Sequence, residues 1–353
     1  MGRNNRCELQ AVDFFCSAGG VTCGFKQAGI NVLGGIDIDP VCELTYKNNN
    51  HATYLCEDVS LLDKKMLAET FKIKKNQDNL IFVGCSPCQY YSKIKTDKTN
   101  SQKTRLLLED FQEFTDYYRP GYVFVENVPG LSTHPDSPLG RFKSFLTENK
   151  YVFDEAVLNA KFFGVPQNRR RYVLIATRIK SEIHLPKEDK EAIKTVRQAI
   201  GDITKYRPIE AGYKDNSDFI HSTAKLSEMN KTRLSQVPKN GGSRIAWTSE
   251  MQLKCYKNHE GHTDVYGRMY WEKPSPTITT RFCSLSNGRY GHPEQLRAIS
   301  LREGATLQSF PENYIFCSAS QGTIAKMIGN AVPPLMAKVI GDAINKNYFY
   351  GKI

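Results

Sequence analysis

The chain has 353 residues, room for one large core and a smaller module. Its 48 Lys+Arg against 37 Asp+Glu leave a formal charge of +11 and a pI near 9.0, a balance that favours a polyanionic partner. No apolar run approaches 18 residues, which excludes a membrane-crossing helix, and no membrane partner is expected.

Residues 11–15 form the first predicted strand, followed by the turn Cys16-Ser17-Ala18-Gly19-Gly20 and a helix through Phe25 that stops at Gly29. Residues 30–36 are a second strand, ending in Asp37-Ile38-Asp39-Pro40. Further strands are expected at 80–84, 122–125, 151–158 and 172–177, with helices between most of them. This alternation predicts an α/β fold with a doubly wound, mostly parallel sheet. From about 180 to 270 the rhythm fails: the stretch is rich in Lys, Asn, Ser and Gly and carries the turn cluster Pro238-Lys239-Asn240-Gly241-Gly242. The expected organisation is a catalytic and cofactor-binding domain over 1–180 and a small, irregular domain over 181–270. Residues 271–353 then complete the first domain, through a closing helix over 323–347 that is interrupted at Pro333-Pro334.

Four strand ends carry chemistry. After strand one, glycines let the backbone approach a ligand, and an acidic residue, Asp37, ends strand two. That pairing suits an adenosine ribose, whose hydroxyls want a carboxylate acceptor. The turn lacks the G-x-G-x-x-G of an NAD site, so a different adenosine cofactor is expected. After the apolar run 80–84, Pro87 stiffens a turn that presents Cys88. Alone, Cys85-Ser86-Pro87-Cys88 reads equally as a redox pair, half a zinc site or two buried thiols. Glu126-Asn127-Val128 follows the next apolar strand, so a thiol and a carboxyl on neighbouring strand ends would face one pocket. Arg169 and Arg171 alternate in Gln167-Asn168-Arg169-Arg170-Arg171 and should share one side of an extended segment, suited to fixing a carboxylate or phosphate.

Taken in order, these segments resemble the DNA (cytosine-5) methyltransferases over nearly the whole chain except its variable middle. The resemblance implies an S-adenosylmethionine loop at Phe15, Ala18, Gly19 and Gly20, a ribose ligand at Asp37 and an adenine-packing side chain at Ile38. Asp58 and Val59 correspond to a further adenine-contacting pair and Leu106 to another cofactor contact. Gly329-Asn330-Ala331-Val332 looks like the final motif, in which Asn330 and Val332 close the cofactor pocket. The block 297–310 resembles the motif that supports the recognition domain. Cys88 is then the nucleophile, Glu126 the acid, Arg171 the stabiliser of the activated base, and Arg169 the residue that orients the Glu126 neighbourhood. No metal is expected. Ser17 stands where the family has glycine, so a slightly different turn is expected, and Tyr90-Tyr91-Ser92 replaces a Pro-Phe-Ser or Gly-Phe-Ser run.

The resemblance implies transfer of a methyl group to carbon 5 of a flipped-out cytosine in a specific duplex DNA sequence, through a covalent Cys88 adduct. Lys93, Lys95, Lys98, Lys103 and Arg105 make the following segment a candidate lid for phosphates. A transfer-RNA cytosine-5 methyltransferase would share every catalytic residue; the recognition-sized insert favours duplex DNA. Intact Cys88, Glu126 and Arg171 argue against a non-catalytic DNA-binding relative, and a dithiol oxidoreductase using Cys85 and Cys88 leaves Glu126, Arg169 and Asn330 unexplained. Residues 1–6 lack an apolar signal core, and ten cysteines without one read as reduced thiols. The expectation is a cytoplasmic monomer, nucleoid-associated if bacterial, possessing or lacking a cognate restriction endonuclease as partner, and prokaryotic or viral by resemblance.

Overall fold

A computed structural model describes residues 8–87, 106–253 and 263–352. The chain divides into two compact units, Met1–Asn159 with Arg170–Glu188 and Val332–Ile353, and Ala160–Arg169 with Asp189–Ala331. In chain order the first unit contains β1 (Gln10–Phe14), α1 (Gly20–Gln27), β2 (Asn31–Asp37), α2 (Glu43–Asn50), β3 (Thr53–Cys56), α3 (Lys64–Phe71) and β4 (Leu80–Gly84). It continues with α4 (Leu107–Tyr118), β5 (Tyr122–Asn127), α5 (Gly130–Thr133), α6 (Leu139–Glu148), β6 (Val152–Asn159) and β7 (Arg170–Thr177). The second unit holds α7 (Val196–Ile200), α8 (Glu228–Ser235), α9 (Leu301–Leu307) and α10 (Gln321–Asn330), before α11 (Pro334–Tyr350) returns to the first.

The seven strands lie in the order β3-β2-β1-β4-β5-β7-β6. The five from β3 to β5 are parallel, while β7 runs antiparallel to β5 and β6 antiparallel to β7. Chain order reverses between β1 and β4, and in open α/β sheets the crevice beyond such a switch point is where ligands bind. Both β4 and β5 are buried along their whole length, which is why they read as unbroken apolar runs. On one face Phe14 packs edge-on against Phe82 and Phe111, at 5.1 and 5.3 Å between centroids. On the other, α1 lies against α11, and a side chain at Gly24 would meet the Pro334 carbonyl at 2.3 Å. Thr22 donates at 2.7 Å to the buried Asp13, whose carboxyl burial pushes up to about 7. That bond pins the first turn of α1 to β1.

The second unit has little regular structure. Its apolar cluster includes Leu226, Leu234, Val237, Trp247, Tyr266 and Leu285. Irregular backbone leaves carbonyls without ladder partners, and buried arginines supply the donors. Arg268 donates to the carbonyls of Val237, Leu234, His292 and Gln295, and Arg302 to those of Phe219 and Tyr314. Arg297 grips Glu303 with two 2.7 Å bonds, while Ser300 and Glu303 close a capping box on α9.

The division differs from the expected one. Residues 271–331 pack within the second unit rather than rejoining the first at 271, and 160–169 belong to the second unit as well. The closing helix is two helices, separated at Pro333. Among the described residues, no helix is long and apolar enough to cross a membrane.

Candidate active site

The turn after β1 is built from left-handed backbone: Phe15, Ser17 and Gly19 have φ of 62, 46 and 87°. Only glycine adopts that region without a Cβ penalty, so Ser17 holds a backbone conformation that favours glycine. It is held from outside. Asp37, the last residue of β2, accepts the Ser17 N–H at 2.8 Å on Oδ2 and the Asp39 N–H at 3.0 Å on Oδ1. Burial pushes the Asp37 carboxyl up, and the two N–H donors pull it back.

Around this carboxylate the described cofactor candidates fall at strand and helix ends. Ala18, Gly19 and Gly20 are buried where α1 begins, and Phe15 packs on the core. Ile38 is 65 % exposed, an apolar side chain standing in solvent next to Asp37. Asp58 accepts from the N–H and hydroxyl of Ser60, Val59 is buried, and Leu106 is half exposed at the head of α4. Val332 is buried in the first unit; Asn330 is exposed at the end of α10 in the second. A half-buried carboxylate beside an exposed apolar side chain and a glycine turn at a helix start fits a nucleoside with a charged tail.

Cys88 and the lysine-rich candidate lid lie outside the described residues. Glu126 sits near the end of β5 and is 7 % exposed. It is registered against Val173 of β7, so Arg171, two residues along the same face, is its diagonal neighbour. The Arg171 Nε stands 3.0 Å from Glu126 Oε1, with both side chains largely buried. Asn127 reaches back across the sheet, donating through Nδ2 to the Ser86 carbonyl at 3.2 Å, while its Oδ1 accepts the Val128 N–H at 2.7 Å. The segment that leads into Pro87 is therefore tied to the strand that carries Glu126. Sequence reasoning gave Asn127 no role; a polar residue directly after a strand-end acid was the only signal. Cys85 extends β4 alongside Glu126, and burial, with the charges of Glu126 and Asp13 adding, holds its thiol well above its ordinary value. A thiol so protonated is a poor nucleophile.

Arg169 departs from its expected place. The strand begins only at Arg170, and Arg169 is buried in the second unit. Its guanidinium donates to the carbonyls of Ile278 at 3.0 Å, Gly329 at 3.3 Å and Ala331 at 3.1 Å. These bonds tie it to the end of α10, while Arg171 stands against Glu126. Gln167 joins it by accepting the Ile278 N–H, and Gln308 donates to Ile328 and Ala331.

The chain resembles proteins of one kind along nearly all its length. The type II methylase M.HgiDII of Herpetosiphon aurantiacus is 36 % identical over 95 % of this chain and 94 % of its own. The type II methyltransferase M1.HphI of Haemophilus parahaemolyticus is 31 % identical over 96 % and 87 %. A solved structure described as a candidate DNA modification methyltransferase encoded within an E. coli prophage superposes with a TM-score of 0.71 at 20 % identity, covering 96 % of this chain and 99 % of that one, and shares the fold. The family model for C-5 cytosine-specific DNA methylase matches residues 9–346, and the chain belongs to that family.

Proposed function

We propose that this enzyme methylates carbon 5 of a cytosine flipped out of a specific duplex DNA site, as the modifying half of a type II restriction-modification system. The reading is carried by the Arg171–Glu126 pair at 3.0 Å, on the strand that Asn127 ties to the approach to Cys88. Type II relatives at 36 and 31 % identity support the DNA substrate.

The chemistry follows from cytosine. Carbon 5 is too weak a nucleophile to attack a methyl donor. Addition of the Cys88 thiolate to carbon 6 forms an S–C bond and moves the ring electrons towards nitrogen 3, which takes a proton from Glu126. The ring is then an enamine, nucleophilic at carbon 5. S-Adenosylmethionine, when bound, supplies the methyl group, and Asp37, Ile38 and the 15–20 turn would hold it. After methyl transfer nitrogen 3 returns its proton to Glu126; loss of the carbon 5 proton to water then lets that electron pair form the C5–C6 double bond and expel the Cys88 thiolate. Arg171 holds Glu126 against the base and offsets charge as it develops. The base is reached only by leaving the stack, at a cost of a few kcal/mol. The second unit, with its buried arginines and irregular loops, is read as carrying target recognition. The enzyme is taken to act as a monomer beside a cognate endonuclease in the cytoplasm. Tritiated methyl transfer into DNA and RNA side by side tests the substrate: label in DNA alone is expected, and label in RNA alone would replace this reading with the transfer-RNA one.

A further inference from the structure

Asp13 is a buried carboxyl that the catalytic account leaves without a role. It is next to last in β1, 1 % exposed, and the turn that begins at Phe15 follows it directly after Phe14. Its Oδ2 accepts the Thr22 hydroxyl at 2.7 Å, and that hydroxyl lies 2.9 Å from the Tyr46 hydroxyl. Its Oδ1 is buried with no hydrogen-bond partner among the described residues.

Among the described residues no cation answers this carboxyl. Beside it in the sheet stand Gly35 of β2 and Val83 of β4, which carry no charge. Further along, β2 brings Asp37, a like charge, while burial keeps the thiols of Cys16 and Cys85 protonated. The cation of α1, Lys26, donates to the Asn50 carbonyl, and Lys47 of α2 pairs with Glu43. Burial without a counter-charge favours the neutral carboxyl and pushes Asp13 up to about 7. The hydrogen-bond chain accommodates both forms. With Asp13 ionised, Tyr46 donates to Thr22 and Thr22 to Asp13; with Asp13 protonated, its own hydroxyl can donate to Thr22. Either way the first turn of α1 stays tied to β1.

We infer that Asp13 makes the cofactor turn respond to the charge of what it holds, giving its proton to water when the sulfonium cofactor is seated and keeping it when the thioether product is. Asp13 touches neither molecule. It is a positioning residue that acts through its field across the turn and through Thr22 on the start of α1. S-Adenosylmethionine carries a net positive charge, whereas S-adenosylhomocysteine, left after methyl transfer, is neutral overall. A cation close by stabilises an ionised carboxylate, so cofactor binding and proton loss favour each other. The inference rests on the cofactor occupying the 15–20 turn, as proposed above.

The test is calorimetric titration of the full chain with each of the two molecules, from about pH 6 to 8.5, in buffers that differ in ionisation heat. Wild type should release a proton on binding S-adenosylmethionine below neutrality. Its preference for cofactor over product should rise by up to about tenfold per pH unit there and level off above about pH 7. The ammonium group belongs to both molecules and drops out when wild type is compared with variants. Asp13→Asn cannot ionise, so its preference should not change with pH. Tyr46→Phe removes the donor that frees Thr22 to serve an ionised Asp13, so the rise should move to higher pH. A wild-type preference that is constant with pH would overturn the inference. So would an Asp13→Asn protein that binds both molecules more weakly but keeps the wild-type pH dependence, since that marks a structural carboxyl. If Asp13→Asn does not fold, an unmoved midpoint in Tyr46→Phe overturns it as well. Asp37→Ala scores the cofactor seat separately: unchanged affinity there sinks both readings, whereas weakened affinity with a constant wild-type preference sinks only this one.

Discussion

Asp37→Ala is the substitution whose consequence the geometry defines most closely. The side chain accepts two backbone N–H groups, from Ser17 at 2.8 Å and Asp39 at 3.0 Å. Hydrogen bonds to a charged acceptor contribute roughly 1.5–3 kcal/mol each when buried, and Asp37 is only partly so. The Ser17 bond also holds a residue at φ 46°, so its loss frees the turn to leave the left-handed region. The proposed ribose acceptor disappears at the same time. Calorimetric titration of the free enzyme with S-adenosylmethionine should show affinity reduced by about 1–3 kcal/mol, or roughly 5- to 150-fold. Asp37→Asn keeps one acceptor oxygen but turns the other into a donor facing an N–H, so it should fall between Ala and wild type. Unchanged affinity in Asp37→Ala would refute the assignment of β2 as the ribose strand. Wild-type affinity in Asp37→Asn would show that charge is not what the ribose hydroxyls require.

Other substitutions test other parts of the account. Arg171→Leu leaves Glu126 as a buried carboxylate without its guanidinium and should lower kcat by about 10²-fold or more with little effect on cofactor affinity; equal rates would remove Arg171 from the mechanism. Gly24→Ala forces a methyl group into the Pro334 carbonyl and should destabilise by about 1–3 kcal/mol in urea unfolding, whereas a neutral result would mean that α1 and α11 separate readily. Acid should unfold the second unit. Burial pushes the Glu303 carboxyl up, but Arg297 and its hydrogen bonds more than reverse this and hold it at about 2 against an ordinary 4.5; burial holds His292 at about 4 against 6.5. Both groups bind more protons when unfolded, so their contributions, each on the order of 3 kcal/mol, are complete above their ordinary values. The His292 part is lost as pH falls from 6.5 to 4 and the Glu303 part from 4.5 to 2, and a melting temperature flat over that range would contradict this. Exchanging residues 189–270, which lie within the second unit, for those of a relative with a different target should change which cytosine bisulfite sequencing reports, and retention of the original target would place recognition elsewhere.

The first unit was legible because its strands are buried on both faces and announce themselves as apolar runs. The antiparallel β6 and β7 were found as strands, but direction has no signature in a run of apolar residues. Phe15 was read as strand because it continues the apolar pattern; its left-handed φ comes from the demands of the turn, which Ser17 disguises by not being glycine. Arg169 and Arg171 looked equivalent by alternation. They differ because the strand starts between them, and no residue there marks the start. The second unit was hardest to read. Arg268, Arg297 and Arg302 pass for surface charges in the sequence, yet they are fully buried and hold together backbone that has no ladder of its own. Only the folded chain shows the carbonyls that they bind.

The covalent step at Cys88 is the claim on which the rest depends, and trapping tests it directly. A duplex carrying 5-fluorocytosine at the target has no proton to lose from carbon 5, so after methyl transfer the S–C bond cannot break. The account predicts a protein–DNA complex that survives boiling in detergent, forms only with S-adenosylmethionine, is lost in Cys88→Ser and is kept in Cys85→Ser. Equal loss of trapping and turnover in Cys85→Ser, relieved by reductant, would contradict it and point to dithiol chemistry.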